Sequence, residues 1–135
     1  MKTLAFKGYN KNSRFMKTYK SLTAVLMDHK LAALGDAYVN FAYSLVLSNR
    51  NEQPSGARVK GRVLAEALKK AGLRECLPSR MSRHMLADAA EALIVYGWLN
   101  GLITLEESVT LLGKTEDGVE AFSQLLLTIK SRVRF

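Results

Sequence analysis

The chain has 135 residues, 48% hydrophobic and 24% charged, with 20 Lys and Arg against 12 Asp and Glu for a net charge of +8. That size allows one domain with its own core, and this balance excludes a disordered chain. The single cysteine, Cys76, excludes an intrachain disulfide and a multi-cysteine zinc site, which fits a reducing, cytoplasmic setting.

Residues 1–14, with Lys2, Lys7, Lys11 and Arg14, read as a basic N-terminal arm rather than a signal peptide, because no long apolar core follows. A first helix is expected over 15–27 and a second over 28–48. In the second, Leu31, Leu34, Tyr38, Phe41 and Leu45 recur at three- and four-residue steps as one apolar stripe. The polar run 49–56 is the clearest loop, and a short turn over 57–60 leads past Gly61 into a helix that stops near Ala71, with Gly72 as its breaker. Pro78 interrupts the segment 73–80. Ser79 or Ser82 is placed to cap a helix over 82–100, and Thr104 with Glu107 has capping-box spacing for one over 104–112. A last helix runs over 116–133 with Val119, Phe122, Leu126, Ile129 and Val133 on one face. No strand is expected, so the fold class is all-α. No apolar run approaches the roughly 20 residues of a membrane helix, and no membrane association is expected.

Three acids stand out. Asp36 follows Gly35 in the middle of the second, apolar helix, where an unpartnered carboxylate is costly to bury. Asp88 and Glu91 are three apart on one side of the 82–100 helix, among Ala, Leu and Ile. Packing the two helices face to face would gather all three carboxylates, which repel one another and titrate upward unless a cation joins them. A hard divalent ion suits such oxygen donors, and Mg²⁺ keeps waters that a substrate can replace. The alternative is that these acids cap loops or pair with surface arginines. His29 and Asn40 share the face of Asp36 and are candidates to support a carboxylate, although a histidine there more often simply packs.

Leu34-Gly35-Asp36-Ala37, together with 87–94 (Ala-Asp-Ala-Ala-Glu-Ala-Leu-Ile), resembles the two acidic motifs of the ribonuclease III catalytic domain. Val59, the run 63–68 and Gly72-Leu73 are similar to that family's middle segment, and the likeness keeps order and spacing over residues 15–112. It implies an all-α ribonuclease III-like domain that dimerises through the first acidic helix and cuts both strands of double-stranded RNA with Mg²⁺ held by carboxylates. Carried over by motif, Asp36 and Glu91 are the catalytic pair, and Asp36, Asp88 and Glu91 are the metal ligands, with Mn²⁺ able to substitute. The family's first motif has two glutamates where this chain has His29 and Ala32. The mini-ribonuclease III branch, which lacks a double-stranded RNA-binding domain, is closer in this helix, with an alanine-rich approach to Gly-Asp and an aromatic at Tyr38. The end of this chain at Phe135 fits that branch.

The resulting expectation is a homodimeric, Mg²⁺-dependent endoribonuclease, joined through the 28–48 helix, that leaves 5′-phosphate and 3′-hydroxyl ends on double-stranded or structured RNA. The other reading is a catalytically inactive ribonuclease III fold that binds RNA or protein, suggested by His29 and Ala32. The basic balance suits a polyanion, and Arg58, Lys60, Arg62, Arg80 and Arg83 are the RNA-binding candidates. Backbone contact is the expected mode, because A-form RNA is recognised by shape, phosphates and 2′-hydroxyls.

Overall fold

The structure, a computed structural model, describes residues 13–135. Of the arm expected over 1–14, only Ser13 and Arg14 fall within that range. The helices are α1 (Leu22–Leu26), α2 (His29–Asn51), α3 (Gly61–Lys70), α4 (Arg83–Leu99), α5 (Leu105–Leu112) and α6 (Gly118–Arg132), with a 3₁₀ turn at Arg74–Cys76. Among the described residues there is no strand, and the fold is all-α as the sequence indicates.

α4 is the hub. From Leu86 to Leu99 nearly every side chain is buried, and α1, α2, α3 and α6 all pack on it. A helix apolar around its whole circumference has to be central. Ala87, Ala89, Ala90 and Ala92 keep it thin enough for several neighbours to reach it. Its ends lie where polar residues predict them, with Ser82 Oγ accepting from the Met85 N–H and Asn100 at the C-cap. Thr104 caps α5 through the Glu107 N–H, but the Glu107 carboxylate does not close a capping box. It makes a two-pronged contact with the Arg132 guanidinium at 3.1 and 2.9 Å, tying α5 to the end of α6.

Three expectations are corrected. The helix expected over 15–27 is one short turn, Leu22–Leu26, begun by Ser21, whose hydroxyl accepts from the Ala24 N–H. The chain before it is irregular and is held by side chains, with the Tyr19 hydroxyl donating to Asp28 Oδ2 at 2.6 Å. α2 runs to Asn51, past the expected stop at Ser48. Asn49, Arg50 and Asn51 are solvent-exposed, which a helix tolerates, and it is Glu52 in the left-handed region (φ 56°) that turns the chain away. Finally, the single apolar stripe on α2 is split. The buried face is Leu31, Ala32, Gly35, Val39, Ala42 and Val46, whereas Leu34 and Phe41 are 40% and 54% exposed. The side that meets α4 is chosen for smallness, and hydropathy alone ranks Ala and Gly below Leu and Phe.

At 23 residues α2 is long and apolar enough, by length and composition, to cross a bilayer. That departs from the expectation of no such run. Here its small-residue face is a packing surface for α4, and its polar positions are bonded to neighbouring chain, as the site shows.

Candidate active site

The site begins with a close approach of two backbones. A Cβ on Gly35 would lie 2.1 Å from the backbone oxygen of Glu91, so only glycine lets α2 come this near α4. The next residue, Asp36, is thereby set against Glu91. Asp36, Asp88 and Glu91 all line one pocket of about 380 Å³, together with His29, Arg58 and His84.

Within it the acids are not equivalent. The Glu91 side chain is buried (7% exposed) and within hydrogen-bonding reach of Asp36. Burial foremost, then the hydrogen bond to Asp36 and the charges of Asp36 and Asp88, push the Glu91 carboxyl up to about 8, against a smaller opposing pull from Arg58. Asp36 is more open, with 43% of its side chain exposed. It accepts from Asn40 Nδ2 on Oδ1 (3.1 Å) and faces the Arg58 guanidinium across 3.6 Å from Oδ2. Asp88 lies between two imidazoles, 3.8 Å from His29 Nδ1 and 3.7 Å from His84 Nε2. Among the described residues no three His, Cys, Asp or Glu side chains form a group spaced to enclose a metal ion. The donor set is two carboxylates in contact and a third on the same wall. It fits Mg²⁺, which is commonly held by one or two carboxylates plus waters and substrate phosphates, better than it fits an all-protein cage.

A strap over 55–59 delivers Arg58. Three polar residues one turn apart on α2 bind its backbone at every second residue. The Ser55 N–H donates to Ser48 Oγ (2.9 Å), the Ala57 N–H to Ser44 Oγ (2.9 Å) and the Val59 N–H to Asn40 Oδ1 (2.7 Å). Four helical residues rise about 6 Å and two near-extended residues span roughly 6.6 Å, so the two chains stay in step over three rungs. Asn40 is the last rung and also the donor to Asp36, which ties strap and carboxylate through one amide.

The structure therefore brings Asp36, Asp88, Glu91, His29 and Arg58 to one pocket, with Asn40 directly behind Asp36. Lys60, Arg62, Arg80 and Arg83 are exposed and do not line it. His29 does not pack into the core; its side chain is 65% exposed beside Asp88. Sequence reasoning, which offers His84 as a nearby basic partner for the second acidic pair, missed two contributors, Ser44 and Ser48. His84 stands one helical turn before Asp88, a spacing visible in the sequence. Ser44 and Ser48 continue a four-residue polar row from Asn40, but their partners are backbone groups that no sequence pattern marks.

The fold and this pocket define a class of protein, an all-helical domain with paired carboxylates between two packed helices. The family model described as Ribonuclease III matches residues 29–132, and the chain belongs to the ribonuclease III family. A comparison with curated proteins finds no match.

Proposed function

We propose that the protein is a divalent-metal-dependent endoribonuclease acting on double-stranded or structured RNA. The ribonuclease III family supports an RNA-processing endoribonuclease at the level of the family. The observation that carries the reading to this chain is Glu91, a buried carboxyl kept against Asp36 at the wall of an open pocket. A structural role alone gives no reason to hold an acid there at such cost.

Asp36 and Glu91 would hold Mg²⁺ or Mn²⁺, with Asp88 as the third carboxylate of the pocket. When bound, the ion supplies Lewis acidity toward a phosphate and a water. The chain's own residues set the conditions for this. Asn40 donates to Asp36 Oδ1 and so holds that carboxylate, His29 and His84 flank Asp88, and Ala32 and Ala87 line the pocket beside the buried Glu91. No protein nucleophile is required, and hydrolysis would leave 5′-phosphate and 3′-hydroxyl ends. The half-buried free thiol of Cys76 is compatible with the reducing, cytoplasmic setting included in this proposal.

The proposal includes a homodimer formed through α2. Its face away from α4 carries Ala33, Leu34, Ala37 and Phe41, an apolar strip exposed along two turns. Two copies meeting there about a two-fold axis would present one pocket to each strand of a duplex.

The test is cleavage of an end-labelled RNA duplex with and without Mg²⁺. Wild type is expected to cut only with the ion, and Glu91→Gln to lose at least roughly a hundredfold in rate, the scale of an electrostatic catalytic group. Equal cleavage by both proteins would reject the site. The inactive, RNA-binding alternative draws on His29 and Ala32 in place of acids, and calorimetry with Mn²⁺ separates the two readings. Duplex binding without any Mn²⁺ uptake at neutral pH would favour the inactive form.

A further inference from the structure

We propose that Arg58 is the phosphate-contacting residue of this pocket and that it shares Asp36 with the divalent ion, so that one side chain links RNA affinity to metal affinity with opposite signs. The inference rests on the endoribonuclease reading above and assigns a specific task to one cation within it.

Three observations carry it. First, the Arg58 guanidinium lies 3.6 Å from Asp36 Oδ2 while 78% of its side chain is exposed. An open ion pair of this kind contributes little to stability, so folding does not explain the placement. Second, the backbone on either side of Arg58 is pinned, through Ala57 to Ser44 and through Val59 to Asn40. The base of the side chain is fixed at the pocket rim while its charged head remains accessible. Third, Asn40 occupies Asp36 Oδ1, so the oxygen turned to Arg58 is Oδ2. An ion entering between Asp36 and Glu91 meets the Arg58 charge at the same carboxylate. A phosphate arriving there is attracted by both, and the planar guanidinium fork matches two of its oxygens in a way that an ammonium does not.

The consequence is a trade. Without RNA, Arg58 competes with the ion for Asp36. With RNA, Arg58 turns to the phosphate and leaves the carboxylate to the ion. Lys60 and Arg62 are exposed close by in sequence, but neither lines the pocket.

Two measurements on the full chain test this, each independent of turnover. Mn²⁺ titration calorimetry without RNA and fluorescence polarisation of a labelled RNA duplex in EDTA are compared for wild type, Arg58→Ala and Arg58→Lys, with circular dichroism confirming the fold. Arg58→Ala is expected to bind Mn²⁺ roughly threefold to tenfold more tightly, the factor that a unit charge at this range produces in a water-exposed site. It should bind the duplex about tenfold more weakly, with a salt slope shallower by about one. Arg58→Lys keeps the charge and loses the fork, so its Mn²⁺ affinity should match wild type while duplex binding still falls. Both affinities of Arg58→Ala within twofold of wild type would overturn the inference, and so would weaker Mn²⁺ binding. A wild type that takes up Mn²⁺ but no duplex rejects the phosphate role. A wild type that binds neither rejects the endoribonuclease reading itself, an outcome distinct from the others.

Discussion

Glu91 is ionised in the unfolded chain above its ordinary pKa of 4.5, whereas in the fold its carboxyl stays protonated up to about 8. Between those values folding takes up a proton, so stability is fully present below about pH 4.5 and falls as pH rises through 8. Glutamine keeps the shape and a donor toward Asp36 without the charge. In EDTA, Glu91→Gln and wild type should therefore have similar stability at pH 4.5, while near pH 7 the variant should be more stable by on the order of 3 kcal/mol. Urea melts across that pH range read this directly, and parallel pH profiles for the two proteins would contradict it. Added Mg²⁺ should flatten the wild-type profile at alkaline pH, because a ligand that binds the ionised folded form stabilises it.

At the scale of elements, the α2–α4 crossing is set by Gly35. Gly35→Ala forces a methyl into the Glu91 carbonyl, backbone against backbone, with no flexible side chain to yield. The expected loss is on the order of 3 kcal/mol by urea melt, at the upper end of overpacking costs. The separation of Asp36 from Glu91 should also lower Mn²⁺ affinity in calorimetry. The strap gives a milder counterpart. Ser44→Ala leaves the Ala57 N–H without its partner, at about 1–2 kcal/mol, and should speed amide exchange at Ala57 and Val59 while residues of α4 keep their protection. Unchanged exchange at both amides would mean that the strap is held by other contacts.

For the whole molecule, the expected assembly turns on the outer face of α2. Phe41 is 54% exposed, so Phe41→Glu should not disturb the core, yet a charge in the middle of an apolar contact opposes pairing. Sedimentation equilibrium at micromolar concentration should give a dimer for wild type and a 15.0 kDa species for the variant. If wild type itself runs as that monomer, cutting of both strands by a symmetric pair is ruled out and single-strand nicking remains.

Much of this was legible in the sequence because it is local. Ser82, Thr104 and Gly72 are helix punctuation that acts within a few residues. Asp36 beside Gly35 and the Asp88–Glu91 pair are each short local motifs, joined into one expected site by their ordered resemblance to a family pattern rather than by spacing alone. Tertiary structure decided the rest. Which side of α2 turns inward depends on how near α4 can come, and that is set by Ala32, Gly35 and Ala42 rather than by the bulkier Leu34 and Phe41. The 15–21 segment is irregular, and Tyr19 within it is tied to Asp28, beyond α1 in sequence, a contact that only the fold brings about. The strap, and with it the place of Arg58, depends on backbone amides meeting side chains 7 to 19 residues away. Backbone groups carry no sequence identity, so their pairing with Asn40, Ser44 and Ser48 emerges only when the chain is folded.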